Sequence, residues 1–172
     1  MKHSHIRSLT QVALGTALLS LCAFVTFPFP PVPFTLQSYA VLAVCGLLGA
    51  RRGLAATLLY LSLGAVGLPV FSSFGGGIAV LFGPTGGFLL GFLFVPLLSF
   101  LTEKRGTGAL FLGFVIATLL SYALGSLWYC LLFAKGESLL GVLTVTVFPF
   151  LLPDAIKLAL AFLTVKRLKR HI

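Results

Sequence analysis

Long apolar stretches, interrupted by short basic clusters and by glycine and proline, constrain the fold of this chain more than any other feature. A helix needs about 20 predominantly apolar residues to span the hydrocarbon core of a bilayer. Hydrophobic residues make up 59% of the 172 residues and charged residues 9%, whereas about 25% of residues in a soluble domain are charged. Because so few charged side chains cannot cover a water-facing surface, the sequence predicts an all-α integral membrane protein with a single domain over residues 1–172.

Six apolar segments are predicted to be transmembrane helices. They lie between charges and helix breakers, at about residues 9–27, 37–50, 53–66, 84–101, 107–133 and 139–165. The second and third are short for spanning helices, since Arg51 and Arg52 stop the second and Gly53 opens the third. Short helices are tolerated in a membrane protein where the adjoining loops line a cavity rather than lipid. The uncharged stretch 67–83 is predicted to be such a loop.

Lysine and arginine predict how the spans are oriented. With six spans both termini lie on one side of the membrane, and that side receives ten of the twelve basic residues. These ten are Lys2, Arg7, Arg51, Arg52, Lys104, Arg105, Lys166, Arg167, Lys169 and Arg170. Because cytoplasmic loops carry the excess of Lys and Arg, we predict a multi-pass protein of the cytoplasmic membrane with both termini in the cytoplasm. This topology accounts for the net charge of +9, and we expect no nucleic-acid partner.

Asp154 and Lys157 are the charged residues that lie well inside a predicted span. Such a charge at the centre of a helix costs about 2.5–3.5 kcal/mol on insertion scales. Their i, i+3 spacing puts both on one helix face, where they can pair. Pro149 and Pro153 predict a kink because each lacks an N–H, and Pro153 is predicted to begin a half-helix. We favour a ligand pocket here; an internal ion pair that only locks the helices together is the alternative.

Two external segments are candidates for closing such a pocket. Residues 67–87 contain seven glycines, which allow positive φ and close approach of the backbone to a ligand, and Phe71 and Phe74 offer aromatic walls. Residues 27–37 contain four prolines, which hold an extended, polyproline-like loop that brings Gln37 to the mouth of the second span. A flexible turn and a rigid spacer are the respective alternatives.

A polar stripe marks one face of the fifth predicted span. Tyr122, Gly125, Ser126 and Tyr129 follow helical spacing there, and Tyr122 is a candidate for ligand binding. Trp128, near the external end, is predicted to belong to the aromatic belt that lies at the membrane interface.

The sequence lacks the residue patterns of an enzyme or of a metal site. No histidine lies inside a predicted span, and the chain has no paired carboxylates and no nucleophile with an evident base. A Walker motif is absent, so we do not expect the chain itself to hydrolyse ATP. Cys22, Cys45 and Cys130 are isolated in apolar stretches, a spacing typical of neither a disulfide framework nor a zinc site. We therefore expect a binding protein or carrier without a cofactor.

Three motifs resemble the BioY family of biotin transporters. They are Pro-Val-Pro-Phe-Thr-Leu-Gln at 31–37, the glycine-rich block at 67–92, and Leu-Pro-Asp-Ala-Ile-Lys at 152–157. The resemblance covers essentially the whole chain. It implies the substrate-binding (S) component of an energy-coupling factor (ECF) transporter, with the corresponding six-helix bundle. It also implies that biotin is the substrate and that a transmembrane T component and two ATPase subunits drive uptake.

The resemblance gives each candidate residue an expected role at the biotin site. Asp154 is expected to accept hydrogen bonds from the ureido N–H groups of biotin, and Lys157 to supply positive charge to a ligand oxygen. The residues expected to close the external side are Gln37, Phe71, Phe74, Gly75, Gly76 and Gly77.

Ala13 and Ala17 form a small-xxx-small pair in the first predicted span. Small residues let helices approach closely in lipid, so the pair is by itself typical of helix packing. The resemblance implies that this pair docks on the T component. Two rival functions remain: an S component for another vitamin, such as thiamine or riboflavin, and an intramembrane scaffold with no ligand.

Overall fold

The structure is a computed structural model that describes residues 2–170, with side chains from residue 5 onward; Met1, His171 and Ile172 lie outside the described residues. Within that range the chain forms nine α-helices and one two-stranded hairpin. The elements are α1 (Lys2–Phe24), β1 (Thr26–Phe27), β2 (Phe34–Thr35), α2 (Gln37–Leu48), α3 (Ala50–Val66), α4 (Ile78–Leu81), α5 (Gly86–Gly91), α6 (Phe94–Thr102), α7 (Thr107–Leu132), α8 (Leu139–Thr146) and α9 (Phe148–Leu168).

Three of the described helices are long and apolar enough to cross a membrane. They are α1 from His5 onward, α7 and α9. Helix α2 and the α5–α6 segment are apolar but shorter. The first helix begins at Lys2 and ends at Phe24, so it begins before the predicted first span, 9–27, and contains most of it. A bundle of long and short apolar helices agrees with the predicted all-α membrane protein.

Helix α2 can be short because it lies in the centre of the bundle. Its residues from Ala40 to Gly46 are all buried, and it packs against α1, α3, α6 and α9. A helix enclosed by protein does not have to match the thickness of the bilayer. The packing of α9 on α2 also brings Asp154 beside Ser38, whose hydroxyl donates to the carboxylate at 3.3 Å.

The boundary between the second and third helices differs from the prediction. Helix α3 begins at Ala50, not at Gly53, because Gly49 adopts a φ of 81° and turns the chain there. Glu103 then accepts a hydrogen bond of 2.8 Å from the Ala50 N–H, which satisfies one of the free donors at the start of α3. Gly53 lies inside α3, where an added Cβ would come 2.8 Å from Cα of Cys45, so it permits close packing of α3 on α2.

The predicted fourth span, 84–101, is broken into α5 and α6. Pro96 lacks an N–H, so the carbonyl of Phe92 loses its usual partner and accepts from the Val95 N–H at 3.2 Å instead. That shift frees the carbonyl of Gly91, which accepts a hydrogen bond of 2.8 Å from the Ser121 hydroxyl. Ser121 of α7 therefore satisfies a carbonyl that the break sets free.

The predicted sixth span, 139–165, is also broken, at Val147 between α8 and α9. The prediction that Pro153 begins a half-helix is wrong: Phe148 begins α9, Pro149 lies in its first turn, and Pro153 lies inside it. Pro149 cannot donate back to α8, but a proline ring is tolerated in the first turn of a new helix. The discontinuity therefore lies six residues earlier, and Asp154 lies in the second turn of α9.

The proline-rich loop after α1 is a short β-hairpin and not a continuous polyproline segment. Thr26 pairs with Thr35 and Phe27 with Phe34 in antiparallel register. The four prolines lie in the connection, where the Pro30–Pro31 peptide bond is cis. The hairpin leads directly into α2 and so holds Thr35 and Gln37 next to each other, with a hydrogen bond of 3.2 Å from the threonine hydroxyl to the amide oxygen.

Candidate ligand-binding site

A cavity lies where the hairpin and the broken helices meet. Its volume is about 90 Å³, several times the 10–15 Å³ or so that one water requires. Its polar lining consists of Thr35, Gln37, Ser38, Ser72, Thr85, Thr118, Ser121, Tyr122, Thr146, Asp154 and Lys157. Its apolar lining consists of Val32, Pro33, Leu42, Phe88, Leu89, Phe92, Val95 and Phe150. Apolar walls with a few polar groups are typical of a site for a small organic molecule.

Asp154 is the centre of the polar part of the cavity. Its Oδ1 lies 2.7 Å from Nζ of Lys157 and 3.3 Å from the Ser38 hydroxyl, and its Oδ2 accepts a hydrogen bond of 2.6 Å from Tyr122. The side chains of Asp154 and Lys157 are 13% and 12% exposed. A carboxylate offers about four acceptor positions, so these three donors leave one position free.

Lys157 retains donor capacity toward the cavity. An ammonium group has three N–H donors, and its ion pair with Asp154 uses one. The ammonium also lies 5.8 Å from the centre of the Phe34 ring, a distance at which a cation is attracted to an aromatic face. The site therefore offers a ligand both a carboxylate acceptor and a charged donor on adjacent turns of one helix.

Aromatic rings join the hairpin to α9 above these charges. Phe34 stacks on Phe150 with ring centres 4.3 Å apart. Phe29 contacts both rings edge-on, with centres 5.6 Å and 6.1 Å away. The hairpin is thus packed on the helix that carries Asp154 and Lys157, and it supplies part of the wall of the cavity.

Gln37 lines the cavity from the start of α2, where it is 3% exposed. Its amide nitrogen donates to the Tyr60 hydroxyl of α3, and its amide oxygen accepts from Thr35. These contacts fix the orientation of the amide. Gln37, Tyr122, Asp154 and Lys157 are therefore the predicted site residues that the structure brings together.

The other predicted site residues lie away from this cavity. Phe71 is 0% exposed and packs edge-on against Tyr60 in the core. Phe74 is 67% exposed and stacks on Phe24 of α1 with ring centres 4.5 Å apart. Gly75 and Gly76 belong to the same turn and do not line the cavity. Their part in ligand binding stays a prediction.

The direction of the turn at 72–74 explains this difference. The segment forms a single 3-10 turn in which Ser73 and Phe74 have φ near 55°. This conformation carries the Phe74 ring outward, while Ser72 of the same turn lines the cavity. Gly76 is required by packing, because a Cβ there would lie 2.4 Å from the carbonyl oxygen of Leu68.

Trp128 anchors the second half of the glycine-rich stretch on α7. Its indole N–H donates to the carbonyl of Gly83 at 3.0 Å. Gly87 packs directly on its side chain, and an added Cβ at Gly87 would lie 2.4 Å from Cβ of Trp128. Besides any contact with the membrane interface, Trp128 therefore positions Thr85 and Phe88, which line the cavity.

Sequence reasoning missed the hydroxyl groups that surround the charged pair. Ser38, Thr118 and Ser121 all line the cavity, and Ser38 contacts Asp154 directly. A signal for Ser38 was present, since it follows Gln37 at the start of a buried helix. Thr118 and Ser121 precede Tyr122 by four residues and one residue, so they extend the polar stripe of α7 toward the N-terminus of the helix.

The family model described as the BioY family matches residues 1–172. The chain belongs to the BioY family. Among relatives, the biotin transporter BioY of Thermotoga maritima is 40% identical over 167 residues, 96% of this chain and 97% of that protein. The probable biotin transporter BioY of Pyrococcus horikoshii is 35% identical over 164 residues, 95% of this chain and 96% of that protein.

A solved structure has the same fold as this BioY-family chain. The crystal structure of the S-component for biotin from an ECF-type ABC transporter superposes with a TM-score of 0.88 at 28% identity, covering 99% of this chain and 94% of that chain. The predicted resemblance and the predicted S-component-like fold are thereby confirmed. The relatives are named as transporters, in agreement with the prediction that the chain is not an enzyme.

Proposed function

We propose that this BioY-family chain binds biotin with high affinity and acts as the substrate-capture S component of an ECF transporter. The names of the relatives and the superposition on a biotin S-component support the proposal. The observation that carries it is the Asp154–Lys157 pair in the wall of a cavity that is otherwise largely apolar. A charged pair at such a depth in the membrane is costly and is characteristic of ligand sites.

The chemistry of biotin fits the groups in this cavity. Biotin has an apolar bicyclic ring, a ureido group with two N–H donors and one carbonyl, and a carboxylate at the end of an alkyl chain. The free acceptor position on Asp154 suits a ureido N–H, and the free donors of Lys157 suit a ligand oxygen. A site that hydrogen-bonds its ligand in this way rejects analogues that lack the partner groups, since the buried groups are then left unpaired.

Binding of tritiated biotin to the detergent-purified chain tests the proposal. We expect Asp154→Asn and Lys157→Met to abolish retention of biotin at nanomolar concentration, while Lys135→Met, at an exposed lysine, binds as the wild type does. Unlabelled thiamine and riboflavin should not compete. Competition by either vitamin would favour an S component for another substrate, and a wild-type chain that binds none of the three would favour a ligand-free scaffold.

For assembly, we propose that α1 docks on the T component, which couples the chain to two ATPase subunits. In support, Ala13 and Ala17 are exposed on α1, and Leu14 and Leu18 beside them are 66% and 40% exposed. The opposite face of α1 is occupied within the chain, since the Thr16 hydroxyl donates to the carbonyl of Ala56 at 3.2 Å. Small residues on an open helix face allow another helix to approach closely.

Uptake measurements separate docking from biotin capture. In cells that also contain the T component and both ATPases, Ala13→Trp should abolish uptake of tritiated biotin while the purified variant still binds it. Ala159→Trp, also at an exposed alanine in a membrane-crossing helix, is the control and should support normal uptake. Normal uptake by Ala13→Trp would contradict the assignment of this face.

We propose further that the chain lies in the cytoplasmic membrane with six spans and both termini in the cytoplasm. In support, contacts hold the basic segments at one end of the bundle. Arg52 in the first turn of α3 donates to Gln11 of α1 at 2.8 Å. Glu103, next to Lys104 and Arg105 after α6, accepts from the Ala50 N–H at the start of α3. A membrane-impermeant maleimide should label Glu137→Cys in intact cells and Arg105→Cys only after permeabilisation. Labelling of the wild-type chain gives the background from its own cysteines. Labelling of Arg105→Cys in intact cells would contradict the proposed orientation.

A further inference from the structure

A second concave region lies at the basic end of the bundle, apart from the ligand cavity. It is a cleft between the start of α7 and the end of α9, and we call it the basic cleft. Leu110, Phe162 and Val165 provide its apolar surface, and Lys166, Lys169 and Arg170 its cations, with Glu103 at one edge. None of the biotin-site residues takes part in it.

We propose that the basic cleft binds the headgroup of an anionic phospholipid. In this arrangement the three cations contact the lipid phosphate, and an acyl chain follows the apolar surface into the membrane. The proposal does not depend on the identity of the transported substrate.

Charge favours an anionic occupant. The cleft carries three cations and one carboxylate, so its formal charge stays positive, and the carboxylate of Glu103 is held toward α3, since its Oε2 accepts the Ala50 N–H at 2.8 Å. The three cations are exposed, so they can reach a bound phosphate without breaking internal contacts that bury them. Basic pockets between transmembrane helices on the cytoplasmic side are characteristic of sites for anionic headgroups.

Position favours a lipid over a soluble anion or an acidic protein loop. Helices α7 and α9 are both long enough to cross the membrane, so a cleft at their shared end lies at the level of the headgroups. Directly below the cations, Phe111 of α7 contacts Phe162 of α9, with ring centres 4.9 Å apart. Phe111 is 39% exposed, which continues the apolar surface of the cleft onto the outer face of the bundle, where an acyl chain can pack.

Native mass spectrometry of the detergent-purified chain tests the proposal with defined probes. The probes are phosphatidylglycerol, phosphatidylcholine with the same acyl chains, and soluble glycerol phosphate. The cleft variant is K166Q/K169Q/R170Q. The matched control is K104Q/R105Q/R167Q, which removes the same charge from exposed positions at the same end of the bundle but outside the cleft.

We expect phosphatidylglycerol to bind the wild type more tightly than phosphatidylcholine does. The cleft variant should lose about a hundredfold in affinity for phosphatidylglycerol, since it removes three basic residues and each contributes roughly a fivefold effect near an anionic lipid surface. The control variant should bind as the wild type does, and the charge-conserving variant K166R/K169R/R170K should retain binding. A cooperative melting transition in detergent at the wild-type temperature verifies that each variant is folded. If the triple glutamine variant fails this check, its three single variants are tested instead.

Three results would overturn the proposal. Equal losses in the cleft and control variants would mean diffuse attraction to a positive surface. Glycerol phosphate that binds as tightly as phosphatidylglycerol would mean a site for soluble anions. A cleft variant that keeps its lipid affinity but no longer assembles with the T component and the ATPases would mean a protein interface.

Discussion

Tyr122 of α7 donates a hydrogen bond of 2.6 Å to Asp154 of α9, so two helices that are long and apolar enough to cross a membrane are joined across the candidate ligand-binding cavity. The hydroxyl holds Oδ2 of the carboxylate, while Oδ1 receives Lys157 and Ser38. The carboxylate is therefore oriented from three sides, by α2, α7 and its own helix. Such support positions an acceptor before a ligand arrives and reduces the entropy cost of binding.

Replacing Tyr122 by phenylalanine removes this hydrogen bond and keeps the ring. A hydrogen bond to a charged group contributes about 1.5–3 kcal/mol, so the Kd for biotin should rise by about 10- to 100-fold. Equilibrium binding of tritiated biotin measures the change. Tyr129→Phe is the matched control on the same helix, since Tyr129 stacks on Phe133 and does not line the cavity. Equal affinity of Tyr122→Phe and wild type would show that the contact does not position Asp154 for the ligand.

Replacing both Asp154 and Lys157 distinguishes a role of the pair in ligand binding from a purely structural role. Removing one partner of a buried ion pair costs up to about 3–5 kcal/mol, whereas replacing both by uncharged residues is often neutral. The pair is slightly exposed, so we expect removal of one partner to lower the free energy of unfolding by less than this limit. Asp154→Asn should lower the melting temperature, and the Asp154→Asn/Lys157→Met double variant should recover most of it.

Biotin binding should be lost in both of these variants, since neither retains the carboxylate. Melting in detergent and tritiated biotin binding are measured on the same samples. The double variant Lys135→Met/Glu137→Gln, at exposed positions, controls for loss of two charges. Wild-type biotin binding by the Asp154→Asn/Lys157→Met chain would leave the pair with a purely structural role.

The sequence carried enough information to predict the charged pair, because its evidence is local. Asp154 and Lys157 are three residues apart in an apolar span, and helical geometry alone places them on one face. Their ion pair at 2.7 Å follows from that spacing. The partners Ser38 and Tyr122 could not be paired with Asp154 in advance, because they are 116 and 32 residues away along the chain.

The helix breaks and the glycine-rich turn were harder to predict for a different reason. A proline marks a region where a hydrogen bond is lost, but packing decides which residue interrupts the helix. Pro149 and Pro153 were both candidates, and the break lies at Val147. Similarly, the glycines near Phe71 indicate a tight turn but not its direction, which depends on Gly64 accepting the Phe71 ring.

Glu103 is expected to stabilise the start of α3 without affecting biotin binding. Its carboxylate accepts the Ala50 N–H at 2.8 Å, and a side-chain acceptor at a helix start is worth about 0.5–2 kcal/mol. Negative charge there also interacts favourably with the helix dipole. Glu103→Ala, which removes both the acceptor and the charge, should therefore lower the melting temperature in detergent, while Glu137→Ala, at an exposed position, should not. If the two variants melt alike, the contact does not contribute to stability.

Gly64 and Gly108 provide the sharpest test of the packing, because alanine should have opposite effects at the two positions. An added Cβ at Gly64 would lie 2.0 Å from Cζ of Phe71, whereas one at Gly108 meets nothing within 4 Å. Phe71 is 0% exposed and cannot move without displacing the core, so Gly64→Ala should cost about 1–3 kcal/mol or more.

Gly108→Ala should instead be neutral or stabilising, by up to about 1 kcal/mol, because alanine favours a helix more than glycine does. Thermal unfolding in detergent gives the sign of each effect. In a chain that also carries Phe71→Leu, the ring that the new methyl group meets is gone. Gly64→Ala should therefore lower the melting temperature less in the Phe71→Leu chain than in the wild type. If Gly64→Ala melts at or above the wild-type temperature, Phe71 does not occupy this position in the folded protein, and the turn that carries Ser72 to the cavity has another conformation.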